Sequence, residues 1–69
     1  MDSLKINEVY QNIHNEHVFI LYEKDEEFAG VNLANDDLKW YSTDGQCFKG
    51  PALKFKVDSA VEIMKRRYG

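Results

Sequence analysis

The dipeptide Asp44-Gly45 lies between two runs of aromatic, β-branched and alternating residues, 38–43 and 46–49. It is the strongest local signal for a β-hairpin in the chain, because both positions of a two-residue type I′ loop require positive φ. Such a loop also determines the register, which places Tyr41 opposite Phe48 and sorts the side chains onto two faces. The face predicted to be buried carries Trp40 and Cys47, and the face predicted to be exposed to solvent carries Lys39, Tyr41 and Phe48.

Two segments before this hairpin have the composition of strands. Residues 17–22 are rich in β-branched and aromatic side chains, as is typical of a central strand. Residues 28–33 form a second run, in which Gly30 indicates a bulge. The polar residues 35–37 then predict a turn that leads into the hairpin.

A last strand is predicted at residues 53–57, after the break that Gly50-Pro51 imposes on the sheet. Apolar residues and lysines alternate strictly in this segment, so one set is expected to face a core and the other to face water. The predicted core-facing residues are Leu53, Phe55 and Val57, and the water-facing residues are Lys54 and Lys56.

The sequence predicts one element at the C-terminal end of the chain and leaves two alternatives at the N-terminal end. Residues 58–68 predict a helix of about ten residues, with Ser59 and Glu62 at the spacing of a capping box and basic residues in the last turn. So short a helix is marginal alone, so its apolar stripe is expected to pack on the sheet. Near the N-terminus, a strand over residues 8–13 that turns through residues 14–16 is favoured, and an amphipathic helix is the alternative.

These elements predict an α+β fold in one small globular domain that spans residues 1–69. The expected architecture is an antiparallel sheet of four to five short strands, with an SH3-like barrel as one form of it, packed by the C-terminal helix. A chain of this length buries only roughly 60% of the surface that its unfolded form exposes. Its core is therefore small and leaves little room for a deep pocket.

Charge is divided along the chain, with a net charge of −7 in residues 1–38 and +4 in residues 39–69. No apolar run is long enough to span a membrane, and the N-terminus lacks the pattern of a signal peptide, so no membrane association is expected. The single cysteine, Cys47, cannot form an internal disulfide, which favours a reducing cytoplasm. From its size alone, the chain would suit a phage or mobile-element accessory protein.

The sequence predicts neither catalysis nor metal binding. His14, His17 and Cys47 are too few for a structural zinc site. A reactive thiolate needs a nearby cation or a helix N-terminus, whereas the predicted register places Cys47 beside Trp40 on the buried face. The acidic clusters at residues 25–27 and 36–37 lie in predicted turns, without the burial that a general acid needs. We therefore expect a protein that is not an enzyme and that uses no cofactor and no metal.

With neither catalysis nor metal binding expected, the candidate functional feature is a binding surface made by the aromatic hairpin and its flanking charges. Exposed aromatic residues with cations nearby are the residue types that carry most of the energy in protein interfaces. The expected function is therefore a non-enzymatic adaptor or inhibitor that binds a protein partner. Nucleic acid is the alternative partner, because lysines interleaved with aromatic residues also bind bases and phosphates, although the net charge of −3 lacks the usual basic balance. The predicted binding residues are Lys39, Tyr41, Phe48, Lys49, Lys54 and Lys56.

Overall fold

The computed structural model describes residues 3–57 and 60–68 of the chain. Within these ranges, five strands form one sheet in which every pairing is antiparallel, and the strand order is β4-β3-β2-β1-β5. The second strand is central, as predicted, and one short helix follows the last strand. The elements are β1 Val9–Asn12, β2 His17–Lys24, β3 Glu27–Asn32, β4 Leu38–Tyr41, β5 Leu53–Val57 and α1 Ala60–Tyr68.

The sheet curls so that the two ends of its strand order approach each other. Leu4, which precedes β1, donates its backbone N–H to the carbonyl of Thr43 at 3.0 Å. Leu53, at the start of β5, donates to the carbonyl of Gly45 at 2.8 Å. Both acceptors belong to the loop that follows β4, so backbone hydrogen bonds link this loop to the β1 and β5 side of the sheet.

A bulge next to Gly30 contributes to this curvature. The register between β2 and β3 pairs Ile20 with Gly30 and Tyr22 with Ala29, so Leu21 is an extra residue in β2. The predicted bulge is therefore confirmed, with the extra residue on the strand opposite the glycine. A Cβ at position 30 would lie 2.7 Å from Val18 Cγ1 and 3.0 Å from Tyr41 Cε1, so glycine is needed for the close approach of these core side chains.

The N-terminal segment is a strand, which confirms the favoured alternative. Asn12 ends β1 and is fully buried, and its Oδ1 accepts hydrogen bonds from the backbone N–H groups of His14 and Glu16, each at 2.9 Å. The side chain thereby satisfies the backbone of the turn between β1 and β2, where Asn15 adopts a φ of 63°. One amide side chain thus organises the reversal that the sequence placed at residues 14–16.

A two-residue loop of type I′ lies between β2 and β3. Lys24 pairs with Glu27, and the two loop residues Asp25 and Glu26 have φ values of 51° and 68°. Both residues therefore adopt the left-handed conformation that glycine and asparagine tolerate best. The loop has the geometry of an Asp-Gly turn, with Glu26 at the position where glycine is usual.

We expect the double substitution Asp25→Asn/Glu26→Gly to raise the free energy of unfolding by about 1 kcal/mol, chiefly because glycine relieves the left-handed strain at position 26. Chemical denaturation of both proteins measures the gain. Asp25→Asn/Glu26→Ala removes the same two charges but leaves a side chain at position 26, so it should recover little of the gain. Equal stabilisation by both variants would assign the effect to charge instead of backbone conformation.

The predicted hairpin at Asp44-Gly45 is wrong. The backbone N–H of Ser42 donates to Gln46 O at 2.9 Å and that of Gly45 donates to Ser42 O at 3.0 Å, so the loop has three residues. Gly45 has a φ of 90°, whereas Asp44 is not among the residues with positive φ. Residues 46–49 continue the reversal without forming a strand. The extra loop residue shifts the predicted pairing by one position, which exchanges the two faces.

The C-terminal helix is confirmed, with bounds Ala60–Tyr68. The predicted cap at Asp58 and Ser59 lies outside the described residues. Ile63 and Met64 are half-buried, and Ile63 lines a cavity together with His17 and Leu33, so this part of the helix faces one end of the sheet. Within residues 3–57 and 60–68, no helix combines the length and the apolar character that crossing a membrane requires.

Candidate binding surface

Tyr41, a predicted binding residue, lies in the core. Its side chain is 3% exposed, and it packs in the cluster that includes Val18, Ile20 and Phe28. Burial raises the pKa of the Tyr41 phenol to about 12, since the ionised form loses its hydration inside the protein. Cys47 packs against the same cluster. The prediction that Tyr41 is exposed to solvent is therefore wrong. The three-residue loop explains why Cys47 lies on the same face as Tyr41 and not on that of Trp40.

Trp40 takes the exposed position that the sequence assigned to Tyr41. Trp40 and Tyr22 both pair with Ala29, from β4 on one side and from β2 on the other, so the three side chains share one face of the sheet. The rings of Tyr22 and Trp40 meet edge to face, with centroids 5.5 Å apart, and Ala29 between them is fully buried. The pair forms an ordered aromatic platform with one third to one half of each residue in solvent.

A groove of about 330 Å³ adjoins this platform, between β4 and the segment that follows the loop. Phe48 is 99% exposed, which makes it the most exposed large apolar residue in the described part of the chain. The predicted binding residues Lys39, Phe48 and Lys49 all line the groove, so the structure brings three of the six together. The groove is lined by Leu38, Lys39, Trp40, Cys47, Phe48 and Lys49.

We define the β4 surface as Tyr22, Leu38, Lys39, Trp40, Phe48 and Lys49. Its four apolar members are all at least 38% exposed, and Leu38 is 50% exposed. The two lysines lie at the same groove, and among the described residues no acidic side chain lines it. The arrangement therefore combines a contiguous apolar patch with positive charge, which is a composition suited to binding a partner that is apolar and acidic.

The other two predicted binding residues lie at the opposite edge of the sheet. Lys54 and Lys56 are exposed on β5, and Lys56 Nζ lies 3.9 Å from Glu8 Oε2, so one of these charges is already paired. Phe55 between them is 47% exposed, so its predicted place in the core is wrong. The register explains the error, because Leu53 pairs with Asn12 and Phe55 with Gln11, which leaves Lys54 as a bulge that turns Phe55 away.

A network of amide and carboxylate groups lies at the end of the sheet near α1. Glu16 Oε1 accepts hydrogen bonds from Asn12 Nδ2 and from Asn32 Nδ2, both at 3.0 Å. The Oδ1 of Asn32 accepts the backbone N–H of Ala34 at 2.8 Å. Glu16 thus joins the turn after β1 to the turn after β3. The two amide donors favour the charged carboxylate and hold the pKa of Glu16 below its ordinary value of 4.5.

We expect stability to fall as acid protonates Glu16. Because the folded pKa is lowered, this group contributes stability that is complete above about pH 4.5 and is lost as the pH falls through the folded pKa. The variant Glu16→Gln lacks this titration, so the difference in unfolding free energy between it and the wild type should shrink from about pH 7 to about pH 3. Parallel profiles for the two proteins would contradict the prediction. The Ser42 hydroxyl also lowers the pKa of Asp44. This group is present in both proteins, so its contribution cancels from the difference in their unfolding free energies.

The cavity beside this network measures about 540 Å³ and is open to solvent between α1 and the turn after β1. Among the described residues, Glu16, His17 and Arg66 are the ionisable groups in its lining. The carboxylate of Glu16 already accepts two amide hydrogen bonds, so its role in this structure is to connect turns. No group of three or more His, Cys, Asp or Glu side chains within the described ranges is placed to hold a metal ion.

Sequence reasoning missed three residues of the β4 surface, which are Tyr22, Leu38 and Trp40. Leu38 and Trp40 share one face of β4, and no local signal indicates whether Trp40 or the adjacent Tyr41 faces inward. Tyr22 lies on the same face as Trp40 only because β2 contains one extra residue. Gly30 indicated a bulge in this region, and that signal could have shown that the alternation of β2 reverses partway along the strand.

In the described residues the architecture is a small β-rich domain, a five-stranded antiparallel sheet with one short helix, and four of its eight exposed large apolar residues belong to the β4 surface. Comparison with protein-family models, with curated proteins and with solved structures finds no match for this chain.

Proposed function

We propose that this protein is a small, non-enzymatic interaction module that binds a protein partner through the β4 surface. The observation that carries the proposal is the contiguous exposure of Tyr22, Leu38, Trp40 and Phe48 on a domain of 69 residues. Leaving such side chains in water forgoes the roughly 1.5 to 3 kcal/mol that burial of a large apolar side chain contributes. A partner that covers them recovers this contribution.

The partner's chemistry can be inferred from the residues beside the patch. Lys39 and Lys49 line the groove, so acidic residues on the partner would find opposite charge there, while its apolar residues would cover Trp40 and Phe48. Nucleic acid is the less favoured alternative. Lys54 and Lys56 do not line the groove, and Glu8 pairs with Lys56, so the predicted basic residues do not all belong to one surface.

We also propose that the curled sheet belongs to the SH3-like type of partly open barrel. The strand order β4-β3-β2-β1-β5 supports this assignment, together with the backbone hydrogen bonds that join Leu4 and Leu53 to the loop after β4. This type of barrel serves many activities, so it agrees with a binding module without specifying the partner.

Selection of a displayed random peptide library on the immobilised protein tests the proposed function. We expect the enriched peptides to combine apolar and acidic residues. Their affinity should fall about thirtyfold for Trp40→Ala/Phe48→Ala, since central aromatic residues contribute about 2 kcal/mol or more to binding. The matched control is Phe55→Ala, an exposed phenylalanine at the other edge, which should change affinity less than about threefold.

Two outcomes reject the proposal. One is the absence of enriched peptides, and the other is equal affinity of the enriched peptides for the wild type and the Trp40→Ala/Phe48→Ala variant. A parallel titration with single-stranded and duplex oligonucleotides at low and moderate salt addresses the alternative. Salt-sensitive binding of an oligonucleotide that depends on Lys39 and Lys49, without peptide enrichment, would replace protein by nucleic acid as the partner.

A further inference from the structure

The edge of β4 has backbone groups that no described strand pairs with. β4 is at the end of the strand order, and β3 is its single neighbour among the described strands. In an antiparallel pair, the residues of each strand alternate between bonding to the neighbour and pointing away from it. Which residues of β4 point away can be deduced from the hydrogen bonds on either side of the strand.

The hydrogen bonds at the two ends of β4 show which of its residues bond to β3 and which point away from it. Asn32 donates its backbone N–H to Asp37 O at 2.8 Å, so Asp37 points towards β3. Lys39 and Tyr41, two and four positions further on, therefore also bond to β3. Ser42 has the opposite orientation, because its N–H donates to Gln46 O on the far side. The two observations agree, and they leave Leu38 and Trp40 with their N–H and C=O groups directed at the open edge.

The segment after the loop does not complete the ladder. Its Gln46 carbonyl accepts the backbone N–H of Ser42. Residues 47–49 then separate from β4 and leave the groove of about 330 Å³. In the part of the chain that the structure describes, no backbone hydrogen bond outside the strand ladders involves Leu38 or Trp40. The groove therefore combines two open backbone pairs with the side chains of Trp40, Phe48 and Lys49.

We propose that the partner binds as an extended segment that adds a sixth strand to the sheet along β4. This inference rests on the proposed function and specifies its mode, which is the addition of a strand at an exposed sheet edge. The N–H and C=O groups of Leu38 and Trp40 supply the main-chain hydrogen bonds. Side chains of the segment alternate, so one set covers Trp40 and Leu38 and the other lies on the side of Lys39.

The charges select an acidic, apolar segment. Lys39 and Lys49 line the groove, while Asp37 adjoins the start of β4. Acidic residues of the segment are therefore expected beside the two lysines. They are not expected at the start of β4, where Asp37 precedes Leu38. The opposite edge of the sheet, β5, is less suited to such a segment, because Glu8 already places a negative charge there and is paired with Lys56.

The test uses a synthetic nonapeptide in which valine and leucine alternate with glutamate, added to the isotope-labelled protein. Hydrogen exchange of the Leu38 and Trp40 amides should slow about tenfold at saturation, and the amides of β5 should be unaffected. A second peptide has the same side chains but carries N-methyl groups on alternate residues at the edge that faces β4. Because it cannot donate to the carbonyls of Leu38 and Trp40, it should bind at least about tenfold more weakly.

The matched protein variant is Leu38→Pro. Its missing N–H points to the open edge, so the ladder to β3 remains while strand addition loses a donor. We expect a folded protein with about tenfold weaker binding of the nonapeptide. The N-methyl comparison uses the wild type, so it decides the question even if this variant fails to fold.

The outcomes separate the mode of binding from the function. Equal affinity of the two peptides, or bound nonapeptide without protection of Leu38 and Trp40, overturns strand addition and leaves the β4 surface as a side-chain site. Failure of the nonapeptide to bind, when library peptides bind through Trp40 and Phe48, also overturns it. Protection of these amides that rises with protein concentration in the absence of peptide assigns the edge to a second copy of this chain and overturns the proposed partner.

Discussion

Replacing Tyr41 with alanine is expected to lower the free energy of unfolding by about 3 to 5 kcal/mol. The ring is 3% exposed, belongs to the main core cluster and lies against Gly30, so its removal leaves a cavity at the centre of a small core. The total stability of a chain of this length is only roughly 3 to 10 kcal/mol. Chemical denaturation should therefore show a protein that is largely unfolded or close to it.

Two comparisons isolate the cause of this loss. Tyr41→Phe keeps the ring and should retain most of the stability, because the removed hydroxyl contributes far less than the ring. Trp40→Ala removes a larger side chain from the adjacent position, yet it should cost only about 1 kcal/mol, since 38% of the residue is in solvent. Equal losses for Tyr41→Ala and Trp40→Ala would contradict the assignment of the two faces.

Replacing Asn12 with alanine is expected to lower the free energy of unfolding by about 2 to 4 kcal/mol. The variant leaves the N–H groups of His14 and Glu16 without their acceptor, and it removes one of the two amide donors to the Glu16 carboxylate. Asn12 is fully buried, so water does not readily replace the lost side chain. Denaturation at neutral pH measures the effect.

The neighbouring amide on the same strand provides the control. Gln11 donates its side-chain N–H to Asn15 Oδ1 at 2.9 Å, but this hydrogen bond is exposed. Gln11→Ala should therefore change stability by less than about 0.5 kcal/mol. A large effect of Gln11→Ala, or a small one of Asn12→Ala, would show that burial of the amide does not determine the stability of this turn.

Several parts of the fold were predictable from local signals. The central strand, the strand after it, the strand at residues 53–57 and the C-terminal helix all occur where composition and periodicity placed them. The turn at residues 14–16 and the bulge near Gly30 were also found. These features depend on residues that are close in sequence, so one chain is enough to detect them.

The candidate site was predicted only in part, for a reason that can be traced to single residues. Lys39, Phe48 and Lys49 do meet at one groove, but Tyr41 is in the core and Lys54 and Lys56 are at the other edge. The hairpin prediction assumed two loop residues, whereas the loop between Ser42 and Gln46 has three. A change of one residue in a loop exchanges the faces of everything paired across it.

The sequence by itself determined which segments are extended, which is helical and where the chain reverses, because turn preferences and apolar periodicity act over a few residues. The tertiary structure decided which side chains are displayed. Leu21, Lys54 and one residue of the loop after Ser42 are each an extra position that reverses the alternation of the side chains beyond it. Whether a strand accommodates such a residue depends on the packing of the strands beside it, which is a long-range interaction.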